Sequence, residues 1–172
     1  MSKIIFQDID GPLIPLRMYF IGGRPFNQQV GSFIYDPVAV WMIKHLCQKF
    51  DAKVVFNSAH NECSYEAMKK QADFNGLGDV MHQDLKTKFP NTPDRLSAIE
   101  EWLSRHEDIT EWIVIDDMPV DCSRNVTHSR QVPINYNIGM TVESFKHACH
   151  LFGETLSPII GVGQNNYFSH KE

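Results

Sequence analysis

The chain has 172 residues, 42% of them hydrophobic and 22% charged, with a formal net charge of -5. That length supports one domain with a self-sufficient core, and the composition excludes a disordered or fibrous chain. The negative charge excludes a general attraction to nucleic acid or anionic membrane, so any phosphate-bearing ligand must be held by local groups.

Taken in chain order, strand and helix signals alternate. Lys3–Ile9 reads as a first strand, built on the apolar run Ile4-Ile5-Phe6 and ending in Asp8-Ile9-Asp10-Gly11-Pro12. A long segment over 11–35 follows, broken by Gly22, Gly23 and Gly31, and reads as a flap. Asp36-Pro37 supplies a helix cap and a proline at the first helical position. That helix is expected to run to about Phe50, with Trp41, Leu46 and Phe50 among its buried side chains. Ala52–Asn57 is β-branched and reads as a second strand. A helix over roughly Cys63 to Phe74 stops before Gly76, and Asp79–His82 suggests a short third strand.

Thr92-Pro93 repeats the cap-and-proline signal. Leu96, Ile99 and Leu103 then carry helical spacing to about His106. Glu111–Ile115 reads as a buried strand ending in Asp116-Asp117, and Gln131–Asn135 as a fifth. Thr141 caps a last helix with Val142, Phe145, Cys149 and Phe152 on one face and Gly153 as its stop. The tail, 154–172, is irregular. The whole, 1–172, is expected to be a single domain.

Alternating strands and helices imply an α/β fold, a central parallel sheet of about five strands with helices on both faces. Ligands of such sheets bind at the carboxyl ends of the strands. Three strands end there in polar residues: Asp8 and Asp10, Asn57 and Ser58, and Asp116 and Asp117. By chance a D-x-D-G motif occurs in about one chain in thirty of this length. The motif alone therefore decides little; three polar strand ends together are a much stronger signal.

If the first strand continued through the motif, Asp8 and Asp10 would point the same way, with Gly11 turning the chain beyond them. Several carboxylates in one cleft repel one another unless a cation sits among them. Oxygen ligands without His or Cys favour a hard ion, Mg²⁺. Such an ion leaves room for phosphate oxygens. One acid can then attack phosphorus while another moves the proton.

These ordered elements resemble the haloacid dehalogenase (HAD) superfamily of phosphotransferases. They are Asp8-Ile9-Asp10-Gly11, Ser58 after a hydrophobic strand, a basic residue near a helix start, and Asp116-Asp117 after another strand. More narrowly, the chain resembles the small capless members found among nucleic-acid and RNA repair proteins. Those share an Arg opening a helix with Trp-Leu near its end, here Arg95 to Trp102-Leu103. The resemblance implies a three-layer Rossmann-like fold with no large cap domain and with strand 1 between strands 2 and 4. It implies Asp8 as nucleophile and metal ligand. Asp10 becomes general acid and base, with its carbonyl on the metal. Ser58 binds phosphate, with Asn57 an alternative in that slot, and Asp116 and Asp117 complete a Mg²⁺ site. Arg95 is the favoured phosphate-binding base, with Lys86 and Lys88 as alternatives.

The expected activity is Mg²⁺-dependent phosphomonoester hydrolysis through an aspartyl-phosphate, on nucleotides or nucleic-acid terminal phosphates, with no obligate protein partner. The alternative is a weakly active or non-catalytic module that binds metal or nucleotide on the same fold. In the flap, Tyr19, Phe20, Phe26, Phe33 and Tyr35 are interleaved with Arg17 and Arg24. Aromatics beside arginine suit base stacking, although a small core of the flap's own accounts for most of them. His147, His150 and Cys149 lack a second ligand pair at zinc spacing, and a surface or packing role fits them better. His60 reads as a loop histidine. Gly161-Val162-Gly163 lacks the strand–helix context of a dinucleotide loop. Cys47, Cys63, Cys122 and Cys149 form no CxxC pair. No apolar run is long enough to span a membrane, so reduced thiols and a cytoplasmic location are expected.

Overall fold

Five strands form one parallel sheet in the computed structural model, in the order β3-β2-β1-β4-β5. The structure describes residues 2–21, 33–59, 63–88, 94–121 and 128–154. The strands are β1 (Ser2–Gln7), β2 (Ala52–Phe56), β3 (Met81–Lys86), β4 (Ile109–Asp116) and β5 (Gln131–Pro133). The helices are α1 (Leu16–Ile21), α2 (Pro37–Phe50), α3 (Tyr65–Phe74), α4 (Arg95–Ser104) and α5 (Val142–Leu151). β1 lies between β2 and β4, and Gln7 stands opposite both Phe56 and Ile115. This is a three-layer α/β domain in which helices cover both faces of one parallel sheet.

Both sheet faces are covered, unequally. Ile5, Val54, Phe56, Ile113 and Ile115 pack in one cluster with Ile43 and Leu46 of α2, Met68 of α3 and Cys149 of α5. On the opposite face Ile4, Phe6, Val55 and Val114 meet Ile99 and Trp102 of α4. Continuous apolar strands are what a doubly covered parallel sheet demands. Phe6 meets Trp102 edge to face, with ring centroids 5.4 Å apart, a favoured aromatic geometry.

Local signals explain the helix starts. Asp36 accepts the Val38 N–H at 2.9 Å and Pro37 opens α2. Thr141 and Ser144 form a reciprocal capping box on α5, and Gly153 follows that helix at φ +87°.

Four expectations need correction. Trp41 is 62% exposed, because it lies on the outer side of α2 and stacks on His45 instead of entering the core. The third strand begins later and runs longer than expected, since 78–80 form a 3-10 turn ahead of β3. Asp94 caps α4, accepting from Leu96 N at 3.2 Å, whereas Thr92-Pro93 lies outside the described residues. The 11–35 segment holds a short helix, α1, and its Phe33 and Tyr35 are buried in the main core.

Among the described residues no helix is long and apolar enough to cross a membrane. Cys47 and Cys149 are buried free thiols, and Cys63 is a half-buried one; Cys122 lies outside the described residues.

Candidate active site

The ladder continues one residue past the strand ends. Asp8 N donates to Ile115 O at 3.0 Å, and Asn57 N donates to Gln7 O at 2.9 Å. Asn57, Asp8 and Asp116 therefore stand in a row across β2, β1 and β4. Pleating puts alternate residues on one face. Val55, Phe6 and Val114, each two residues earlier, all pack toward α4. The row faces the amino end of α4, where Arg95 is the first helical residue.

Arg95 joins the two buried acids. Its Nη1 lies 2.9 Å from Asp8 Oδ2 and 2.5 Å from Asp116 Oδ2. Asp8 is 1% exposed and Asp116 fully buried. Asp8, Asp116 and Asp117 each offer a carboxylate oxygen, and these oxygens lie within 4.8 Å of one another. An all-oxygen set of this kind fits a hard divalent cation. The Asp10 carboxyl is not in that group.

Asp10 departs from the strand-spacing expectation. β1 ends at Gln7, and the chain bends at once: Leu13 N and Ile14 N both donate to Ile9 O, at 3.0 and 2.9 Å. Gly11 sits inside this bend at φ +80°, a conformation that favours glycine. A Cβ there would also meet the Asp117 carboxyl. Thus the bend sets where Asp10 lies, and strand alternation does not.

Gln7 precedes the site on the opposite face. It is fully buried; its Nε2 donates to Asp8 O at 2.7 Å and its Oε1 has no hydrogen-bond partner among the described residues.

The electrostatics follow from three acids and one guanidinium. Burial, with the charge of Asp8 added, raises the Asp116 carboxyl well above the ordinary carboxylate range, against the lowering effect of Arg95. Asp117 is pushed up to about 6, again by burial first and then by Asp8. Burial opposes the charge on Arg95, but Asp8 and Asp116 outweigh it and hold that pKa above its usual value. The site is short of positive charge, which is the condition that favours uptake of a cation.

At the end of β2, Asn57 is fully buried and Ser58 is 1% exposed. Asn57 Oδ1 accepts the Thr87 hydroxyl at 2.8 Å, and Asn57 Nδ2 has no hydrogen-bond partner among the described residues.

The other basic candidates make different contacts. Lys86 donates to the Cys63 carbonyl, and Lys88 is exposed. Arg17 pairs with Asp36, the cap of α2. Tyr19 packs against the main core, while Phe20 is 82% exposed. Arg24, Phe26, His60 and Gly161-Val162-Gly163 lie outside the described residues. Cys149 is core, and His147 and His150 are exposed on α5.

Two supporting residues went unrecognised in the sequence. Gln131, at the start of β5, holds the loop that follows Asp116. Its Oε1 accepts from Val120 N at 3.2 Å and its Nε2 donates to Met118 O at 2.7 Å. Thr87 is the second. Gln131 stands apart from any motif and Thr87 lies between two candidate lysines without a signal of its own; the pairing of neighbouring strands brings both to the site.

Residues 4–145 match the family model described as the HAD domain in Swiss Army Knife RNA repair proteins. Among solved structures, a haloacid dehalogenase-like family hydrolase from Streptococcus pneumoniae is similar, with 12% sequence identity and a TM-score of 0.49. That alignment covers 84% of this chain and 90% of the other. No curated protein matches the chain.

Proposed function

Because the chain belongs to the HAD domains of Swiss Army Knife RNA repair proteins, a family of phosphatase-type hydrolases, we propose that it is a Mg²⁺-dependent phosphomonoesterase. The observation that carries this reading is the placement of Asp8, inside a three-acid cluster and 2.9 Å from Arg95.

In this reading Asp8 attacks phosphorus and the P–O bond to the leaving group breaks. Asp10 gives its proton to the departing oxygen. Asp10 then takes a proton from water, whose oxygen attacks phosphorus and releases phosphate, restoring Asp8. Arg95, Asn57 and Ser58 hold the phosphoryl oxygens by hydrogen bonds that strengthen as charge develops. Asp8, Asp116, Asp117 and the Asp10 carbonyl would hold Mg²⁺, which when bound offsets phosphate charge against the acids.

The substrate we favour is a nucleotide or a phosphate at a nucleic-acid end. Two things support it. The matching family model is described from RNA repair proteins. Among the described residues no separate domain lies over the carboxyl ends of the strands, an arrangement that suits a large substrate.

The test is phosphate release in Mg²⁺ from an aryl phosphate, sugar phosphates, 5′- and 3′-nucleotides and oligonucleotides with terminal phosphates. Nucleotides or oligonucleotides should be preferred, EDTA should silence turnover, and Asp8→Asn should abolish it. Wild-type turnover by Asp8→Asn would remove Asp8 as nucleophile. A preference for sugar phosphates would remove the nucleic-acid substrate.

A further inference from the structure

We propose that Thr87 is a positioning residue: its hydroxyl fixes the Asn57 amide so that the NH₂ group, not the oxygen, is presented to the phosphoryl group. The inference rests on the phosphate-binding reading of the site above and goes beyond it in choosing the donor and what orients it.

Asn57 is fully buried, yet its amide is satisfied on one side only. Oδ1 accepts from Thr87 Oγ1 at 2.8 Å, while the buried Nδ2 has no hydrogen-bond partner among the described residues. A buried donor without an acceptor is costly and uncommon in native proteins. It is explained if a ligand supplies the acceptor.

The position fits that ligand. Asn57 N bonds to Gln7 O, which holds Asn57 beside Asp8 at the end of the sheet. Thr87 lies on the other side of Asn57, with its own N–H on Phe56 O at 2.9 Å. The strand order β3-β2-β1 thus places Asn57 between Thr87 and Asp8. An amide is planar, with oxygen and nitrogen on opposite sides of its carbon. Drawing the oxygen toward β3 turns the nitrogen toward β1, where Asp8 stands.

The orientation decides the sign of the interaction. An oxygen facing the site would add a negative end to a cluster of carboxylates and repel phosphate. An NH₂ group attracts it. Asn57 cannot choose by shape, because its two ends are nearly isosteric. In the structure Thr87 holds one of the two orientations, its hydroxyl donating to Oδ1 at 2.8 Å. The same hydroxyl is 3.5 Å from Phe56 O, a longer contact than the one to Oδ1.

The test is binding of inorganic phosphate in the presence of Mg²⁺, followed by ³¹P NMR, with Mg²⁺ binding measured separately by calorimetry. Thr87→Val should weaken phosphate about tenfold and leave Mg²⁺ affinity within twofold. Thr87→Ser, which keeps the hydroxyl, should stay near wild type in both. Asn57→Asp keeps the bond to Thr87 but turns an anion toward the site, and should lose measurable phosphate binding. It serves as the second variant if Thr87→Val does not fold. In wild type the Asn57 side-chain amide resonance should shift on adding phosphate.

If Thr87→Val and Asn57→Asp both bind phosphate as wild type does, while the wild type turns over, the positioning role is wrong and the phosphatase reading stands. If the wild type neither binds nor releases phosphate, both fall together.

Discussion

A Cβ placed on Gly11 would sit 2.8 Å from the carboxyl carbon of Asp117. Two motifs a hundred residues apart in sequence are thus in van der Waals contact, and the absence of a side chain on one makes room for the acid of the other. Gly11 carries a second constraint, its φ of +80°. Gly11→Ala should therefore displace Asp117 as well as strain the bend, costing about 1–3 kcal/mol of stability. Mg²⁺ affinity should fall at least tenfold. Titration calorimetry checks this; unchanged metal affinity would show that Asp117 tolerates the displacement.

Stability without metal should depend on pH in a direction that the acid cluster dictates. Burial and the charge of Asp8 raise Asp116 and Asp117 in the folded state, Asp117 to about 6. An unfolded Asp titrates near 4. Between those values the folded state binds more protons than the unfolded one, so this contribution is complete below about pH 4 and lost as pH rises through 6. In EDTA, Asp117→Asn should gain on wild type in melting temperature as pH is raised from 4 to 7. Mg²⁺ should reverse the difference, since it favours ionised ligands. A difference that shrinks with rising pH in EDTA would contradict this assignment.

Removing Arg95 should leave two buried carboxylates facing each other. Arg95→Ala is expected to cost about 3 kcal/mol or more in urea unfolding without metal, with less loss in saturating Mg²⁺. Arg95→Lys should lie between, because an ammonium is a point charge where Arg offers a fork. A cost below about 1 kcal/mol would mean that the ion pairs are not maintained in solution.

Gln131 holds the loop after Asp116 through both ends of its amide. Gln131→Leu keeps the volume but leaves the Val120 N–H and the Met118 carbonyl unpaired. It should destabilise by about 1–3 kcal/mol and weaken Mg²⁺ binding severalfold, because Asp117 sits in that loop. Full metal affinity in a destabilised variant would limit Gln131 to a folding role.

The two tryptophans on α2 and α4 should behave in opposite ways. Trp102 is fully buried against Phe6, whereas Trp41 is 62% exposed. Trp102→Ala should cost about 3–5 kcal/mol, and Trp41→Ala less than about 1 kcal/mol. Equal costs in thermal or urea unfolding would contradict the two placements.

Much of the fold was legible because its signals are local. Asp36-Pro37 and Thr141 mark helix starts through bonds to residues two or three positions away, and Gly153 marks a stop by its own φ. The apolar runs of β1, β2 and β4 announce a sheet covered on both faces. Other features escaped local reading. A helical pattern does not say which side of α2 meets the sheet, so Trp41 read as core. The first strand read two residues too long, to Ile9, because nothing in the motif itself shows that β1 stops at Gln7.

Of the site, the sequence by itself determined which chemistry is present: carboxylates at two strand ends, an amide and a hydroxyl at a third, and an arginine opening a helix. These are residue types at element ends, and they can be read one element at a time. Only the tertiary structure decided which of them meet. Strand order set Asn57, Asp8 and Asp116 in a row, the packing of α4 brought Arg95 onto two of them, and Asp117 came to rest against Gly11. Thr87 and Gln131 joined through neighbouring strands. Such contacts depend on register and on the space between elements, and neither is written at any single position of the chain.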